Sequence, residues 1–268
     1  TRFPEAEPSM ALLLVSAQHW DAKQLLDSRL LARRKANANP FPRDYDQSLC
    51  AKAELLKEVD AEMAIKDGRT DLRHLPFVTI DPHDAKDFDD AISVQFLENG
   101  NLEIGVHIAD VSHYVRPDMA IDKEAYRRAT SVYLVDRTIP MLPEALSNDL
   151  CSLNPDVDRL TFSAVFTFNG KKEIINEWYG KTVIHSHQRF TYENAQEVLD
   201  KKDGPFLKEL QAALAIAQDL EKKRFDAGAM SIDSEEVKFK LDANGVPIGV
   251  YIKERGQTHH MIEELMLL

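Results

Sequence analysis

Five aspartates lie within the ten residues DPHDAKDFDD, at positions 81–90. Carboxylates held ~4 Å apart repel by ~1 kcal/mol in water and by about 4 kcal/mol near a protein surface, so such a cluster needs a compensating proton or cation. Hard carboxylate oxygens suit Mg²⁺ or Mn²⁺, and Mg²⁺ completes its octahedron with water and substrate phosphate. The cluster therefore predicts metal-assisted phosphate chemistry, with a solvated acidic loop as the alternative.

The residues on either side of the cluster predict that it lies where a sheet ends. The β-branched run 78–80 precedes it, and the strand pattern resumes at 91–94. An EF-hand calcium loop does not fit, because Ala85 stands where a third ligand belongs and Lys86 where the sharp turn needs glycine. We therefore expect the acids at the edge of a sheet.

The rest of the chain predicts an α+β fold with mixed, largely antiparallel sheets and packed helices. Asn-Gly pairs at 99–100 and 169–170 each lie between β-rich runs and predict hairpins. Another turn is expected at 242–245, between two strands. Helical length and periodicity mark the segments 49–65, 121–129, 192–199, 205–225 and 259–268. These helices are expected to cover the sheets.

Composition limits the class of protein. The 268 residues are 44% hydrophobic, enough for one substantial core. The apolar run 10–15 is too short to span a bilayer, and the only two cysteines, Cys50 and Cys151, are typical of reduced thiols. We therefore expect a cytoplasmic protein that does not bind membranes. The net charge of −12 predicts weak RNA affinity for this chain alone.

The first 43 residues differ in composition from the rest of the chain. Apolar residues between positions 20 and 31 approach helical spacing and are followed by Arg33, Arg34 and Lys35, which is typical of a short amphipathic helix with a basic end. The asparagines and prolines at 37–42 indicate a linker. We therefore divide the chain into a leader at 1–43 and a main domain at 44–268.

Four ordered segments carry a recognisable pattern: TIDPHDAKDFDDA at 79–91, HIADVSHYV at 107–115, SVYLVDRTIPMLP at 131–143 and LSNDLCSLNPDVDRL at 146–160. Together they resemble the catalytic (RNB) domain of the ribonuclease II family, nearest to its ribonuclease R branch. The resemblance runs from about residue 71 to residue 268. It implies processive 3′→5′ hydrolysis of single-stranded RNA, with Mg²⁺ as the cofactor (Mn²⁺ is the alternative) and nucleoside 5′-monophosphates as products.

The same resemblance assigns roles to individual residues. The four active-site aspartates of the family match Asp81, Asp87, Asp89 and Asp90, which would hold the metal against the scissile phosphate, and Asp84 is an additional acid. Tyr133 matches an aromatic residue that orients the 3′-terminal nucleotide. For Tyr133 a core position in the strand 131–134 is the alternative.

Two further matches and two departures complete the comparison with the family pattern. Tyr192 and Glu263 match RNA-contacting positions, although packing or solvation explains both equally well. Ile232 replaces a phenylalanine that clamps terminal bases in relatives. No counterpart of the family's Ser-Pro-Ile-Arg segment, with its phosphate-contacting arginine, occurs before Leu268. The resemblance therefore implies a catalytic domain that is incomplete at its C-terminal side.

The predicted function is a magnesium-dependent exoribonuclease with single-stranded RNA as its partner. A catalytically impaired RNA-binding or interaction module with the same fold is the main alternative. An unrelated magnesium phosphohydrolase acting on small phosphates is disfavoured by Tyr133 and the segment IPMLP at 139–143. Protein partners are not predicted.

Overall fold

The computed structural model describes residues 45–135, 138–230, 237–243, 247–252 and 255–268. The predicted leader at 1–43 and Ile232 lie outside these ranges. The helices are α1 Gln47–Glu54, α2 Ala61–Lys66, α3 Val111–Tyr114, α4 Ala120–Arg128, α5 Tyr192–Lys201, α6 Leu207–Asp226 and α7 Gln257–Met266, with a π-helix at Ala145–Leu150. The strands are β1 Thr70–Asp71, β2 Phe77–Asp81, β3 Asp90–Phe96, β4 Leu102–Ala109, β5 Val132–Tyr133, β6 Thr138–Ile139, β7 Asp158–Phe168, β8 Ile174–Thr191, β9 Val237–Leu241 and β10 Pro247–Ile252.

The main sheet closes on itself through the 18-residue strand β8. One part of β8 pairs with β7, and its last residues pair with β2, so that β2, β3, β4, β7 and β8 form a closed ring of hydrogen-bonded strands. The pairs β1–β8 and β2–β8 are parallel and the other pairs of this sheet are antiparallel. The predicted hairpins at 99–100 and 169–170 and the α+β class are confirmed.

One face of this sheet is apolar and is covered by α5, α6 and α7. Alternate residues of β3, β4 and β7 point to that face, as the two-residue period of a strand requires. Its buried side chains include Ile92, Val94, Ile104, Val106, Phe166 and Phe168 from the strands, and Leu210, Ala213, Ile216, Met261 and Leu265 from the helices. This layer is the main core, and it holds the sheet whose ends carry the aspartates.

Polar side chains on the opposite face form a buried network around His107. Its imidazole lies 2.9 Å from the Ser93 hydroxyl and 2.7 Å from the Ser163 hydroxyl. Burial lowers the pKa of His107 to about 3, so the ring is neutral at physiological pH. A Cβ atom at Gly105 would lie 2.3 Å from Nε2 of His107, so glycine is required there by this close approach. Inside the ring these hydrogen bonds lie beside apolar packing, because the Phe77 ring meets the His107 ring edge-on, with centres 4.7 Å apart.

The chain divides into two compact units. The described residues of the larger unit are 48–122, 142–230 and 255–268, and this unit contains the main sheet and the aspartates. The described residues of the smaller unit are 45–47, 123–135, 138–141, 237–243 and 247–252, and this unit contains the ribbons β5–β6 and β9–β10. Within it, the guanidinium of Arg128 lies 3.7 Å from the centre of the Tyr45 ring and donates to Glu124 over 3.0 Å. In the described parts of the chain, no helix combines the length and the apolar character needed to cross a membrane.

The prediction of one continuous helix at 49–65 is wrong. The structure has α1 and α2 instead, because Asp60 caps the start of α2 by accepting hydrogen bonds from the backbone N–H groups of Glu62 and Met63 over 2.9 and 3.2 Å. The apolar spacing of the sequence continues across the break between α1 and α2, so periodicity alone does not reveal that break. The predicted helices at 121–129, 192–199, 205–225 and 259–268 are confirmed, with ends shifted by up to two residues.

Candidate active site

The four aspartates lie at and between the facing ends of β2 and β3. Asp81 is the last residue of β2, Asp90 is the first residue of β3, and Asp87 and Asp89 belong to the connecting loop. Because these strands are antiparallel neighbours, the end of one lies beside the start of the other. The predicted position of the acids at the end of a sheet is confirmed.

Hydrogen bonds from the segment after the π-helix hold the backbone of this loop. The Ser152 hydroxyl donates to the carbonyl of Lys86 over 2.8 Å and accepts from the N–H of Phe88 over 3.0 Å. The N–H of Leu153 donates to the carbonyl of Phe88 over 2.9 Å, and the Phe88 ring is buried. On the other side, the N–H of Ala109 donates to the carbonyl of Asp89 over 2.9 Å. The backbone on both sides of Asp87 and Asp89 is therefore anchored.

Arg189 of β8 supplies a positive charge at the same loop. Its guanidinium donates to the carbonyls of Pro82 and His83 over 3.1 and 2.7 Å and lies 5.1 Å from the centre of the Phe88 ring. The charge also acts to lower the pKa of Asp81. Sequence reasoning missed this residue, because a single arginine within a strand carries no local signal of a role more than 100 residues away.

Desolvation and mutual repulsion raise the pKa values of three of the carboxyls, of which Asp81 is buried, Asp90 is half-buried and Asp89 is exposed. Burial, with the charge of Asp90 as the next cause, raises the pKa of Asp81 to about 7. Burial and the charge of Asp89 raise the pKa of Asp90 to about 6. Desolvation and the charge of Asp87 raise the pKa of Asp89. Each acid thus responds to another member of the cluster, so the cluster is electrostatically coupled.

The donor set fits a hard divalent cation. The oxygens are carboxylate oxygens, and the buried Oδ2 of Asp81 has no hydrogen-bond partner among the described residues. In the same residues, no three side chains of the types His, Cys, Asp or Glu are grouped closely enough to hold a metal ion by themselves. Water and a substrate phosphate would therefore have to supply most of the coordination of a bound ion.

The structure brings Tyr192 to the aspartates. Thr191, the residue before it, pairs with Asp81 across β2 and β8. Burial and the charges of Asp90 and Asp81 raise the pKa of the Tyr192 phenol to about 12. Its ring stacks on His259, with centres 3.9 Å apart and planes inclined by 10°. The side chain is therefore a neutral phenol at physiological pH, held beside the acids by stacking.

Glu263 belongs to the same surroundings. Its carboxylate accepts a hydrogen bond from Arg255 over 2.8 Å, and its charge contributes to the raised pKa of Tyr192. Tyr133 lies in the smaller unit, on the short ribbon β5–β6. Its side chain is 69% exposed, which excludes the alternative that Tyr133 is a core residue. RNA binding by Tyr133, Tyr192 and Glu263 stays a prediction.

The family description "RNB domain" matches residues 69–268 of this chain. A DIS3-like exonuclease 2 of Schizosaccharomyces pombe is 45% identical over 216 residues, which cover 75% of this chain and 23% of the relative. A ribonuclease R of Thermotoga maritima is 42% identical over 236 residues, which cover 85% of this chain and 33% of the relative. The chain thus spans about a quarter to a third of the length of these relatives.

Solved structures show the same likeness. RNase R of Mycoplasma genitalium in complex with ribose-methylated single-stranded RNA is 32% identical, with a TM-score of 0.79 over 85% of this chain and 36% of that chain. The fold is also similar to that of yeast Ssd1, described as a pseudonuclease, with 22% identity and a TM-score of 0.61 over 77% of this chain and 25% of that chain. At that identity the likeness to Ssd1 concerns the fold alone.

Proposed function

Since this chain belongs to the RNB-domain family, we propose that it carries the metal-binding acids of a 3′→5′ exoribonuclease. The proposed substrate is single-stranded RNA, hydrolysed processively to nucleoside 5′-monophosphates. The observation that carries the proposal is the coupled set Asp81, Asp87, Asp89 and Asp90, which matches the family's four active-site aspartates and has raised pKa values at Asp81, Asp89 and Asp90.

These four aspartates would hold a divalent ion, which we propose to be Mg²⁺, with Mn²⁺ as a second suitable ion. When bound, such an ion supplies positive charge to the phosphoryl oxygens and lowers the pKa of a water molecule. The residues of the chain itself position the acids. Ser152 and Arg189 hold the loop backbone through hydrogen bonds, so that the Asp87 and Asp89 carboxylates keep their position as substrate binds.

Two aromatic residues would position the RNA. The exposed ring of Tyr133 offers a stacking face to the 3′-terminal base. Tyr192 keeps its proton at neutral pH and can donate a hydrogen bond to a substrate oxygen beside the acids. Glu263 would act next to Tyr192, in its ion pair with Arg255.

We further propose that the protein works in the cytoplasm and without a membrane partner. Its two cysteines, Cys50 and Cys151, are free thiols, and burial raises the pKa of Cys151 to about 12, so this thiol is unreactive. Free, unreactive thiols are typical of proteins from reducing compartments.

Replacing Asp89 with asparagine in the intact protein tests this function. Asp89→Asn keeps the shape of the side chain and removes the charge, so the loss should fall on the chemical step and not on RNA binding. We expect the single-turnover rate on a poly(A) oligonucleotide to fall by roughly 100-fold or more, because metal-assisted charge stabilisation contributes several kcal/mol. Affinity for the same oligonucleotide should stay close to that of the wild type.

The matched control is Asp84→Asn, which neutralises an exposed acid of the same loop that the family motif does not use. This variant should keep its activity. Unchanged turnover in Asp89→Asn would remove Asp89 from the mechanism.

A second candidate function is a module that binds RNA and does not hydrolyse it, because no three His, Cys, Asp or Glu side chains of the described residues lie close enough together to hold a metal ion. The two candidates differ in the behaviour of the wild-type protein. Release of mononucleotides that requires Mg²⁺ and stops with a chelator supports the exoribonuclease. RNA binding without any release supports the binding module.

A further inference from the structure

Four residues on neighbouring strands form one row across the main sheet: Asp90, Ile108, Phe162 and Lys181. Asp90 pairs with Ile108, Ile108 with Phe162, and Phe162 with Lys181, from β3 through β4 and β7 to β8. Directly paired residues carry their side chains on the same face of a sheet. With strands about 4.8 Å apart, the row extends roughly 14 Å from Asp90. We call Ile108, Phe162 and Lys181 the sheet-face track.

The sheet-face track is open to solvent. Ile108 and Phe162 are 43% and 49% exposed, and the Lys181 side chain is 47% exposed. Two residues further along the strands, Ile92 and Val106 lie on the same face and are buried in the core formed with the helices. The helices therefore cover this face only up to the row that begins at the candidate catalytic acid.

The far end of the track carries the positive charge. The ammonium of Lys181 lies 3.7 Å from Asp110, whose carboxylate is already bound by Arg69, so the negative charge of Asp110 is shared between two cations. Lys181 also borders a cavity of about 310 Å³.

We propose that the sheet-face track binds the nucleotides of single-stranded RNA that precede the scissile phosphate. A base stacks on the Phe162 ring and packs against Ile108, while a backbone phosphate meets Lys181. An aromatic face followed by a cation complements a base followed by a phosphate, and the row is continuous with Asp90. This proposal rests on the proposed function, because Asp90 marks the site of cleavage only in an exoribonuclease.

The test compares RNA binding by variants of the track with binding by matched controls. Phe162→Ala and Phe162→Leu remove the stacking ring, and Phe162→Leu retains apolar bulk in case Phe162→Ala fails to fold. Their control is Phe96→Ala, because Phe96 is 55% exposed and lies at the opposite end of β3 from Asp90. Lys181→Gln removes the cation, and Lys171→Gln removes an exposed lysine from the turn between β7 and β8. Affinities are measured with chelator present, for a dinucleotide and for a 12-nucleotide poly(A).

We expect both Phe162 variants to weaken binding of the 12-nucleotide RNA about 5- to 100-fold, the range of one lost base stack. Binding of the dinucleotide, which has only one nucleotide before the phosphate at Asp90 and therefore cannot reach Lys181, should change less. Lys181→Gln should reduce the slope of log K against log salt by about 0.7, as expected for one lost phosphate contact to a single strand. Phe96→Ala and Lys171→Gln should behave as the wild type does.

Equal affinity of Phe162→Leu and Phe96→Ala for the long RNA would overturn the proposal, as would an equal salt slope for Lys181→Gln and Lys171→Gln. An equal loss on the dinucleotide and the 12-nucleotide RNA would also contradict it, because the effect would then not depend on reaching the track. Failure of the proposed function looks different. In that case the wild-type protein releases no mononucleotides, whereas failure of the track alone leaves that release intact.

Discussion

Replacing Asp81 with asparagine should stabilise the folded chain at neutral and alkaline pH. Burial and the charge of Asp90 raise the pKa of Asp81 from 3.8 to about 7. A raised pKa means that the folded state holds the proton more tightly than the unfolded state, so the native carboxyl causes no loss of stability below pH 3.8. As the pH rises from there to about 7, folding increasingly requires a buried charge. Asparagine removes that charge at every pH.

The magnitude can be worked out from the size of the shift. A difference of about 3 pKa units corresponds to roughly 4 kcal/mol at pH 8 and to less than about 1 kcal/mol at pH 4. The Asp81 side chain is buried, with 9% of its surface exposed, so solvent screens the effect little. Coupling to Asp90 shares the effect between the two acids, and we therefore expect Asp81→Asn to gain roughly 2–4 kcal/mol at pH 8.

Urea unfolding of the wild type and of Asp81→Asn at pH 4 and pH 8 measures this gain. Asp84→Asn, which neutralises an exposed acid of the same loop, is the control and should show no comparable gain. Millimolar Mg²⁺ should stabilise the wild type more than Asp81→Asn, because an ion that binds only the folded state adds stability by mass action. An Asp81→Asn protein that is no more stable than the wild type at pH 8, or that gains equally at both pH values, would refute the electrostatic reasoning.

Three further predictions concern other parts of the molecule. Tyr133→Ala should change the length of the shortest fragment that remains after digestion of end-labelled RNA, because the exposed ring would no longer set the register of the 3′ end; identical limit products would argue against this role. Ser152→Ala should lower the free energy of unfolding in urea by about 1–3 kcal/mol, because the Phe88 N–H and the Lys86 carbonyl lose their partner. It should also weaken the apparent Mg²⁺ affinity in hydrolysis roughly tenfold. No change in either quantity would show that Ser152 does not hold the loop. The neutral form of His107 is favoured in the fold, so its contribution to stability is complete above pH 6.5 and falls towards pH 3. Between pH 6 and pH 4 the free energy of unfolding of His107→Gln should fall less steeply than that of the wild type, by up to about 1.4 kcal/mol per pH unit. Equal slopes for the two proteins would contradict the burial of a neutral imidazole.

The sequence by itself determined the local elements around the site. The structure confirms the predicted strands on both sides of the acids, which are β2 and β3. It also confirms the two hairpins predicted from Asn-Gly turns. Alternation of side chains and turn chemistry act over a few residues, so they can be recognised without the fold. The same reasoning failed at 49–65, because the side chain of Asp60 caps a new helix where the apolar spacing continues.

Only the tertiary structure decided what surrounds the acids. Ser152 bonds to Phe88 across 64 positions of sequence, and Arg189 bonds to His83 across 106. The row from Asp90 to Lys181 exists only because four strands pair in one particular register. The raised pKa of Asp81 likewise depends on how completely the fold removes water from its carboxyl. Hydrogen bonds, strand register and desolvation all depend on distances between groups that are far apart in the chain, and folding alone determines those distances.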